Sequence, residues 1–368
     1  MRTEDIALTM IPRLGVKGTV HLLSLFGSAE RIFAASADEL TERAELRPDV
    51  ARSITGRVSF EAAEREIAYC RRHGIRPVAS TDPEYPPLMR ESDDYPHVIY
   101  VCGEVGALSK RCVTFVGTRH MTSYGERICT KLIEELAETV PDLCIVSGMA
   151  YGIDGAAHRA ALHCGVPTVG VLANVLPEVT PAHHALLGRD IIEHGGALVS
   201  ELPSTTRQNG SYYISRNRIM AAMGCGTVVV ESAAAGGSLA TAHFADSCNR
   251  SVMAVPGRAS DKYSAGTNML IRNRKAQLVL SGEDIARELM WEMNIPAPER
   301  RPTEAAAALL PSEKAVMAAF GDEERVSADT LAARSGLDAG ELAATMISLE
   351  LSGAVRQLPG GMYERLIG

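Results

Sequence analysis

Six short apolar runs rich in β-branched residues recur between residues 112 and 257: CVTFVG, LCIVSG, PTVGVLA, GALVSE, GTVVVES and SVMAVPG. Most end in glycine or a small polar residue. A strand that is apolar at every position, rather than at every second one, is covered on both faces. Stretches of helical periodicity separate several of the runs, among them GERICTKLIEELAET and IDGAAHRAALHCG. The alternation predicts an α/β fold built on a doubly wound, mostly parallel, Rossmann-like sheet. Ligands of such sheets sit beyond the carboxyl ends of the strands. The unusual residues of this sequence fall at those ends.

The flanks read differently. Residues 1–72 alternate short apolar helical faces with glycine breaks, which predicts a small helical domain. Within it, Gly15-Val16-Lys17-Gly18 reads as a turn between two helices. It is either a hairpin of the helix-hairpin-helix or SAM-like kind, whose amides can meet phosphate, or a plain connection. The sheet domain is assigned to residues 73–290. Its first part, 73–104, reads as a connector with short strands such as VIYVCG, since Pro83, Pro86, Pro87 and Pro96 forbid a long helix. Residues 291–311, rich in Pro, Ala and charge, read as a linker. Residues 312–368 follow the order helix, helix, turn, helix, hairpin, which is a winged-helix pattern.

A chain of 368 residues has room for two or three domains. No apolar run reaches about 18 residues, so no membrane-spanning helix is expected. The N-terminus, MRTEDIALTMIPRLG, is too acidic and too broken by Pro12 and Gly15 for a signal peptide, and the expected location is the cytoplasm. The eight cysteines include no CxxC pair and no zinc pattern with histidine, so reduced thiols and no metal are expected. The net charge of −8 at first argues against nucleic acid. Its distribution matters more. Residues 105–290 hold 17 Lys+Arg and 16 Asp+Glu, a net +1, and the other residues hold 20 and 29, a net −9. A near-neutral centre can carry one concentrated basic pocket, and local charge governs contact with phosphate.

Five strand-end motifs carry chemistry. In VTFVGTRHMTSYGERI (113–128), Gly117 permits close approach to the backbone, Thr118, Ser123 and the following helix N-terminus offer neutral donors, and Arg119 offers a bidentate cation. The GxGxxG dinucleotide spacing is missing. In IVSGMAYGIDGAAHRAA (145–161), Ser147-Gly148 and Gly152 make a flexible loop, Asp154 is placed to cap a helix, and His158 reads as packing on that helix. In GSYYISRNRIMAAMGCGTVVVES (210–232), Tyr212 and Tyr213 stand before Arg216-Asn217-Arg218. Rings that stack on bases beside guanidiniums that hold phosphates are the ingredients of single-strand binding; the alternative is that the tyrosines fill the core and the arginines pair with acids. In ESAAAGGSLATAHFA (231–245), Gly236-Gly237-Ser238 forms a phosphate-friendly nest at a helix start. In VPGRASDKYSAGTNMLIRN (255–273), Pro256-Gly257 closes a strand and Gly266-Thr267-Asn268 opens a helix. No Walker lysine, zinc triad, nucleophile elbow or carboxylate pair accompanies these loops. The combination favours holding an anion over breaking a bond.

Taken together the motifs resemble the DprA (Smf) family, the DNA-processing proteins of bacterial natural transformation. VTFVGTR is similar to the family's VAIVGSR, SGMAYGIDGAAH to SGxAxGIDxxAH and SRNRIMAAM to xRNRIIAGL, and the GSLATA and GTNMLI segments follow in the family's order. The resemblance implies an extended Rossmann-like domain that binds single-stranded DNA, forms a homodimer and helps load RecA, with an N-terminal SAM-like and a C-terminal winged-helix domain. It implies no enzymatic activity and no cofactor. Carried over residue by residue, Arg119 matches the phosphate-binding arginine of the GSR motif. Ser147, Gly148, Arg216, Asn217 and Arg218 match pocket positions, and Tyr212 falls near the aromatic position ahead of RNR. Arg207 lies close to Asn209, where some members carry lysine. With Gly117, Thr118, Ser123, Gly237 and Ser238 these form the expected single-stranded DNA site.

The sequence departs from the family at Leu176, where a YPxxN segment has tyrosine, and at Arg274, where an LIxxGA ending has glycine. Two other functions compete. Related Rossmann-like hydrolases of nucleoside monophosphates carry PGGxGTxxE, but AAAGGSLAT lacks the downstream glutamate. A winged-helix transcription regulator would need a basic recognition helix, and DAGELAATMISLELSG has no Lys or Arg.

Overall fold

The computed structural model describes residues 2–293, 310–321, 323, 325–351, 354–358 and 360–365. The chain divides into two compact units, residues 1–295 and 296–368. Most of the linker expected at 291–311 lies outside the described residues.

The first unit opens with six helices: α1 (Thr3–Thr9), α2 (Gly15–Phe26), α3 (Ala29–Ala34), α4 (Ala37–Glu42), α5 (Pro48–Thr55) and α6 (Phe60–Arg72). A nine-stranded sheet follows. Its strands are β1 (Arg76–Ala79), β2 (Val98–Gly103), β3 (Arg111–Val116), β4 (Leu143–Ser147), β5 (Thr168–Val171), β6 (Ala197–Ser200), β7 (Gly226–Val229), β8 (Ser251–Ala254) and β9 (Gln277–Leu278). The spatial order is β1-β2-β6-β5-β4-β3-β7-β8-β9. From β6 to β9 every pairing is parallel, while β1–β2 and β2–β6 are antiparallel. The chain leaves β3, steps outward through β4, β5 and β6, and then returns to the other side of β3 for β7, β8 and β9. That reversal makes the carboxyl ends of β3 and β7 the ligand crevice of the sheet.

The apolar strands are covered on both faces. Side chains alternate along a strand, so Phe115 and Val116 enter different cores. Phe115 joins Ile133 and Leu136 of α7 (Ser123–Thr139) and Ala157 of α8 (Ile153–His163). Val116 joins Met220 and Met223 of α10 (Tyr212–Met223) and Ala242 of α11 (Gly237–Ser247). Complete burial of a side chain such as Phe115 contributes about 1.5–3 kcal/mol. Three shorter helices complete the unit: α9 (Ala185–Glu193), α12 (Ala265–Arg272) and α13 (Gly282–Glu288).

Two features of the N-terminal segment differ from the sequence reading. Its helices and the sheet share a core across residue 72, in which Ile6, Leu8, Leu22 and Ile54 cluster with Tyr100, Met149, Leu172 and Leu198. A buried contact between Asp5 Oδ1 and His97 Nε2 at 3.2 Å ties α1 to the start of β2. The GVKG sequence is also not a turn between helices. Gly15 takes φ +67° and opens α2, so the four residues are its first turn, and the connection from α1 is residues 10–14.

The second unit has its own core around Phe320, Leu331, Met346 and Leu349. It consists of α14 (Pro311–Ala319), β10 (Arg325–Ser327), α15 (Ala328–Ser335), α16 (Ala339–Leu351), β11 (Val355–Leu358) and β12 (Met362–Arg365), with the sheet ordered β10-β12-β11. This is the expected winged helix, with β10 added as a third strand.

Candidate nucleic-acid interface

At the crevice between β3 and β7 lies a cavity of about 350 Å3. Three segments build its walls. The loop after β3 contributes Gly117, Thr118 and Arg119, α10 contributes Tyr213, Arg216 and Asn217, and the start of α11 contributes Gly237 and Ser238. Asp154, in the first turn of α8, closes the floor.

The loop after β3 is pinned by its own backbone. The Thr118 amide donates to Glu231 O at 2.8 Å, and the Ile153 amide donates to Thr118 O at 3.2 Å. The Thr118 hydroxyl accepts from the His120 amide at 3.1 Å, which leaves the hydroxyl proton free for a ligand. Gly117 serves a different purpose from the one expected. A Cβ there would fall 2.4 Å from Ile153 Cγ1 and 3.0 Å from Glu231 O, so the glycine makes room for the protein's own packing. Gly237 is the residue open to a ligand, since a Cβ there would meet nothing within 4 Å. It begins an eleven-residue helix whose first amides have no preceding turn to bond.

The two arginines of the RNR triplet part company. The Arg216 guanidinium is buried; its Nη1 donates to Val171 O at 2.5 Å, and its Nε has no partner among the described residues. Asp154 is its buried neighbour. Burial pushes the Asp154 carboxyl up, against the pull of Arg216 and Arg119, and holds the Arg216 guanidinium below its ordinary range. Arg218 does not enter the cavity, contrary to the sequence reading. It bonds Glu201 and donates to Asp94 O at 2.6 Å. The reason is helical geometry: residues two apart on a helix of 3.6 residues per turn point about 200° apart. Burial raises the Glu201 carboxyl, against the charge of Arg218.

Arg119 is exposed, and its Cζ stands 5.5 Å from the centre of the Tyr213 ring. A cation over an aromatic face at the mouth of a cavity is the clearest invitation to a nucleotide here. The ring is that of Tyr213; Tyr212 does not line the cavity. Arg207 is exposed on the loop after β6 and also lies outside the lining. Ser147 and Gly148 lie behind it. The Ser147 hydroxyl donates to Phe115 O at 2.7 Å and locks β4 to β3. Ser238 is buried and donates to the Ser232 hydroxyl at 2.9 Å. Ser123 belongs to a neighbouring cavity. His158 is buried with Nδ1 2.7 Å from the Thr168 hydroxyl, and burial holds its pKa down to about 3, so it packs as a neutral ring. Tyr151, half exposed after β4, packs its ring 5.4 Å from that of His184 and 6.2 Å from that of His183, outside the cavity lining.

Among the described residues no helix is long and apolar enough to cross a membrane, and the eight cysteines are free thiols. A family model for DNA recombination-mediator protein A matches residues 76–290, and a model for the DprA winged helix domain matches residues 300–361. The chain belongs to the DprA family. Members similar to it include Protein Smf of Escherichia coli, 38% identical over 287 residues that cover 77% of this chain and 75% of that protein. The putative DNA processing protein DprA of Mycobacterium tuberculosis is 32% identical over 330 residues, 86% and 84% of the two chains. Among solved structures, DNA processing protein A from Streptococcus pneumoniae superposes with a TM-score of 0.67 and 26% identity, covering 78% of this chain and 98% of its own. The protein of that name from Helicobacter pylori shares the fold, with a TM-score of 0.53, 23% identity and coverage of 59% and 96%.

Proposed function

We propose that this member of a family of recombination mediators binds single-stranded DNA in the β3/β7 cavity, protects the strand in the cytoplasm during natural transformation, and acts as a homodimer that helps load RecA. The observation that carries the reading is the Arg119 guanidinium over the Tyr213 ring at the mouth of a glycine-lined cavity. A cation for phosphate and a ring for a base stand within one nucleotide's reach of each other. The Helicobacter pylori relative is described as having a unique single-stranded DNA binding mode, which supports the same assignment. The sheet ends at β9 with Leu278 and Leu280 exposed, an open edge suited to pairing with a second copy. A hydrolase reading is weaker, since Asp154 is the one carboxylate among the lining residues and the cavity therefore offers no pair of acids for general acid–base work.

Titration of the full-length protein with single- and double-stranded DNA of equal length tests the proposal. Single strands bind more tightly. Arg119→Ala weakens that binding, Arg119→Glu weakens it further, and neither changes thermal stability. One lost phosphate contact flattens the slope of log affinity against log salt by about 0.7 for a single strand. Equal affinity for both forms of DNA, or an Arg119→Ala variant with the parent's affinity and salt slope, refutes the assignment.

A further inference from the structure

Beside the β3/β7 cavity lies a larger one, of about 930 Å3, at the ends of β7 and β8. Its walls are the start of α7 and the loop between β8 and α12. Three exposed cations line it, Arg127, Arg258 and Lys262, and none has an ion pair with a described residue. Two carboxylates share the lining. That of Glu231 is buried and bonded to the Thr122 amide and hydroxyl, at 2.9 and 2.5 Å, which leaves Asp261 as the one exposed acid.

The loop that forms the far wall is pinned where it leaves β8. The Asn268 side chain bonds the Gly257 amide and carbonyl at 3.2 and 2.9 Å, and the Tyr124 hydroxyl donates to Pro256 O at 2.8 Å. Near its other end, the Ser232 amide donates to Tyr263 O at 2.6 Å, which joins this loop to the one after β7. The Tyr263 backbone is thereby held at the cavity wall, and the Lys262 ammonium stands 5.4 Å from the centre of its ring. The ring faces His120 at a centroid distance of 6.3 Å and an interplanar angle of 27°. His120 follows Arg119 directly, so the wall between the two cavities is the loop from Arg119 to Thr122. Three residues of extended chain reach at most about 11 Å.

We infer that this second cavity is a subsite for the flanking nucleotide of the same strand, with Arg258 and Lys262 on its phosphate and the Tyr263 ring under its base. The inference rests on the proposed binding of single strands in the β3/β7 cavity. A polyanion leaving Arg119 meets the next cations across the ridge, and the pairing of a tyrosine ring with a cation is repeated there, with the Lys262 ammonium in place of a guanidinium. A ring carried on a backbone-bonded wall gives the base a surface to stack on.

The test uses the full chain and a series of oligothymidylates of increasing length. For the parent, affinity rises in a step once the strand spans both cavities. An Arg258→Ala/Lys262→Ala double variant binds the shortest strands like the parent, loses the step, and has a salt slope on long strands lower by about 1.4, two contacts at about 0.7 each. A 2-aminopurine at the flanking position is quenched by the parent and by Tyr263→Phe, and is not quenched by Tyr263→Ala. A double variant with the parent's length dependence and salt slope overturns the subsite. So does one that weakens every length equally, or one that loses only free thymidine monophosphate. Arg119→Ala separates the two ideas: if it leaves the shortest strands bound as before, the reading of the β3/β7 cavity fails independently of the second cavity.

Discussion

Gly148→Ala adds a single methyl group at the most crowded point behind the cavity. The Cβ would stand 2.0 Å from Arg216 Nη1, 2.6 Å from Arg216 Cζ and 2.6 Å from Asp154 Oδ2. Gly148 is not among the residues with positive φ, so its backbone tolerates alanine and the conflict is one of space. Arginine tips ordinarily swing aside, but this one is buried and bonded to Val171 O at 2.5 Å. It can move only by giving up that bond, and a hydrogen bond from a charged group contributes about 1.5–3 kcal/mol. Overpacking of a filled interior costs a similar amount, about 1–3 kcal/mol. The expected loss is therefore about 2–4 kcal/mol. In a unit of this size that lowers Tm by about 3–6 °C. Because the displaced guanidinium can go only toward the cavity, affinity for single-stranded DNA falls by tenfold or more in the same variant. Thermal unfolding and fluorescence anisotropy, run on the same preparation, measure both effects. A variant that melts within a degree of the parent and binds DNA as well would show that Arg216 is not locked, and the account of the cavity floor would be wrong.

Three further outcomes follow from separate contacts. His158 is held neutral with a pKa of about 3, so its folded value is depressed below the unfolded one of about 6.5. Its contribution is present above pH 6.5 and is lost as pH falls toward 3, with a slope of up to about 1.4 kcal/mol per pH unit; urea midpoints at pH 7 and pH 5 should differ more for the parent than for His158→Gln, and equal differences would exclude the histidine. Arg218→Ala strips a buried partner from Glu201, so it destabilises by about 3–5 kcal/mol, whereas Arg119→Ala leaves the melting temperature alone; the reverse ranking in a thermal melt would exchange the two roles. Truncation near residue 290 removes a winged helix whose α16 has no lysine or arginine and exposes Ile347 and Leu351; the truncated protein keeps its affinity for single strands, and a loss beyond about tenfold, 1.4 kcal/mol, would place the module in the DNA site.

The sheet was legible because its central strands lack the alternation of polar and apolar residues that one-sided burial imposes, and the loops at their carboxyl ends were therefore legible as ligand loops. The departure at Arg274 can be understood in the same local terms. Where the family has glycine, this arginine keeps a positive φ of 56°, so the turn is preserved by backbone conformation without the residue that adopts it most easily. The fault lay in the phase of one helix. The sequence reading puts all three residues of the RNR triplet in the site, but α10 begins at Tyr212 and contains them. Counted on that helix, Tyr213, Arg216, Asn217 and Met220 fall at i, i+3, i+4 and i+7, the stripe that forms one face, and these four line the cavity. Arg218 falls off the stripe and finds Glu201 instead. Helical period alone would have separated the two arginines. It would not have supplied the partner of Tyr213. That is Arg119, which reaches the ring only because β3 ends where the returning chain lays α10 across the crevice, a contact made by topology between segments far apart in sequence.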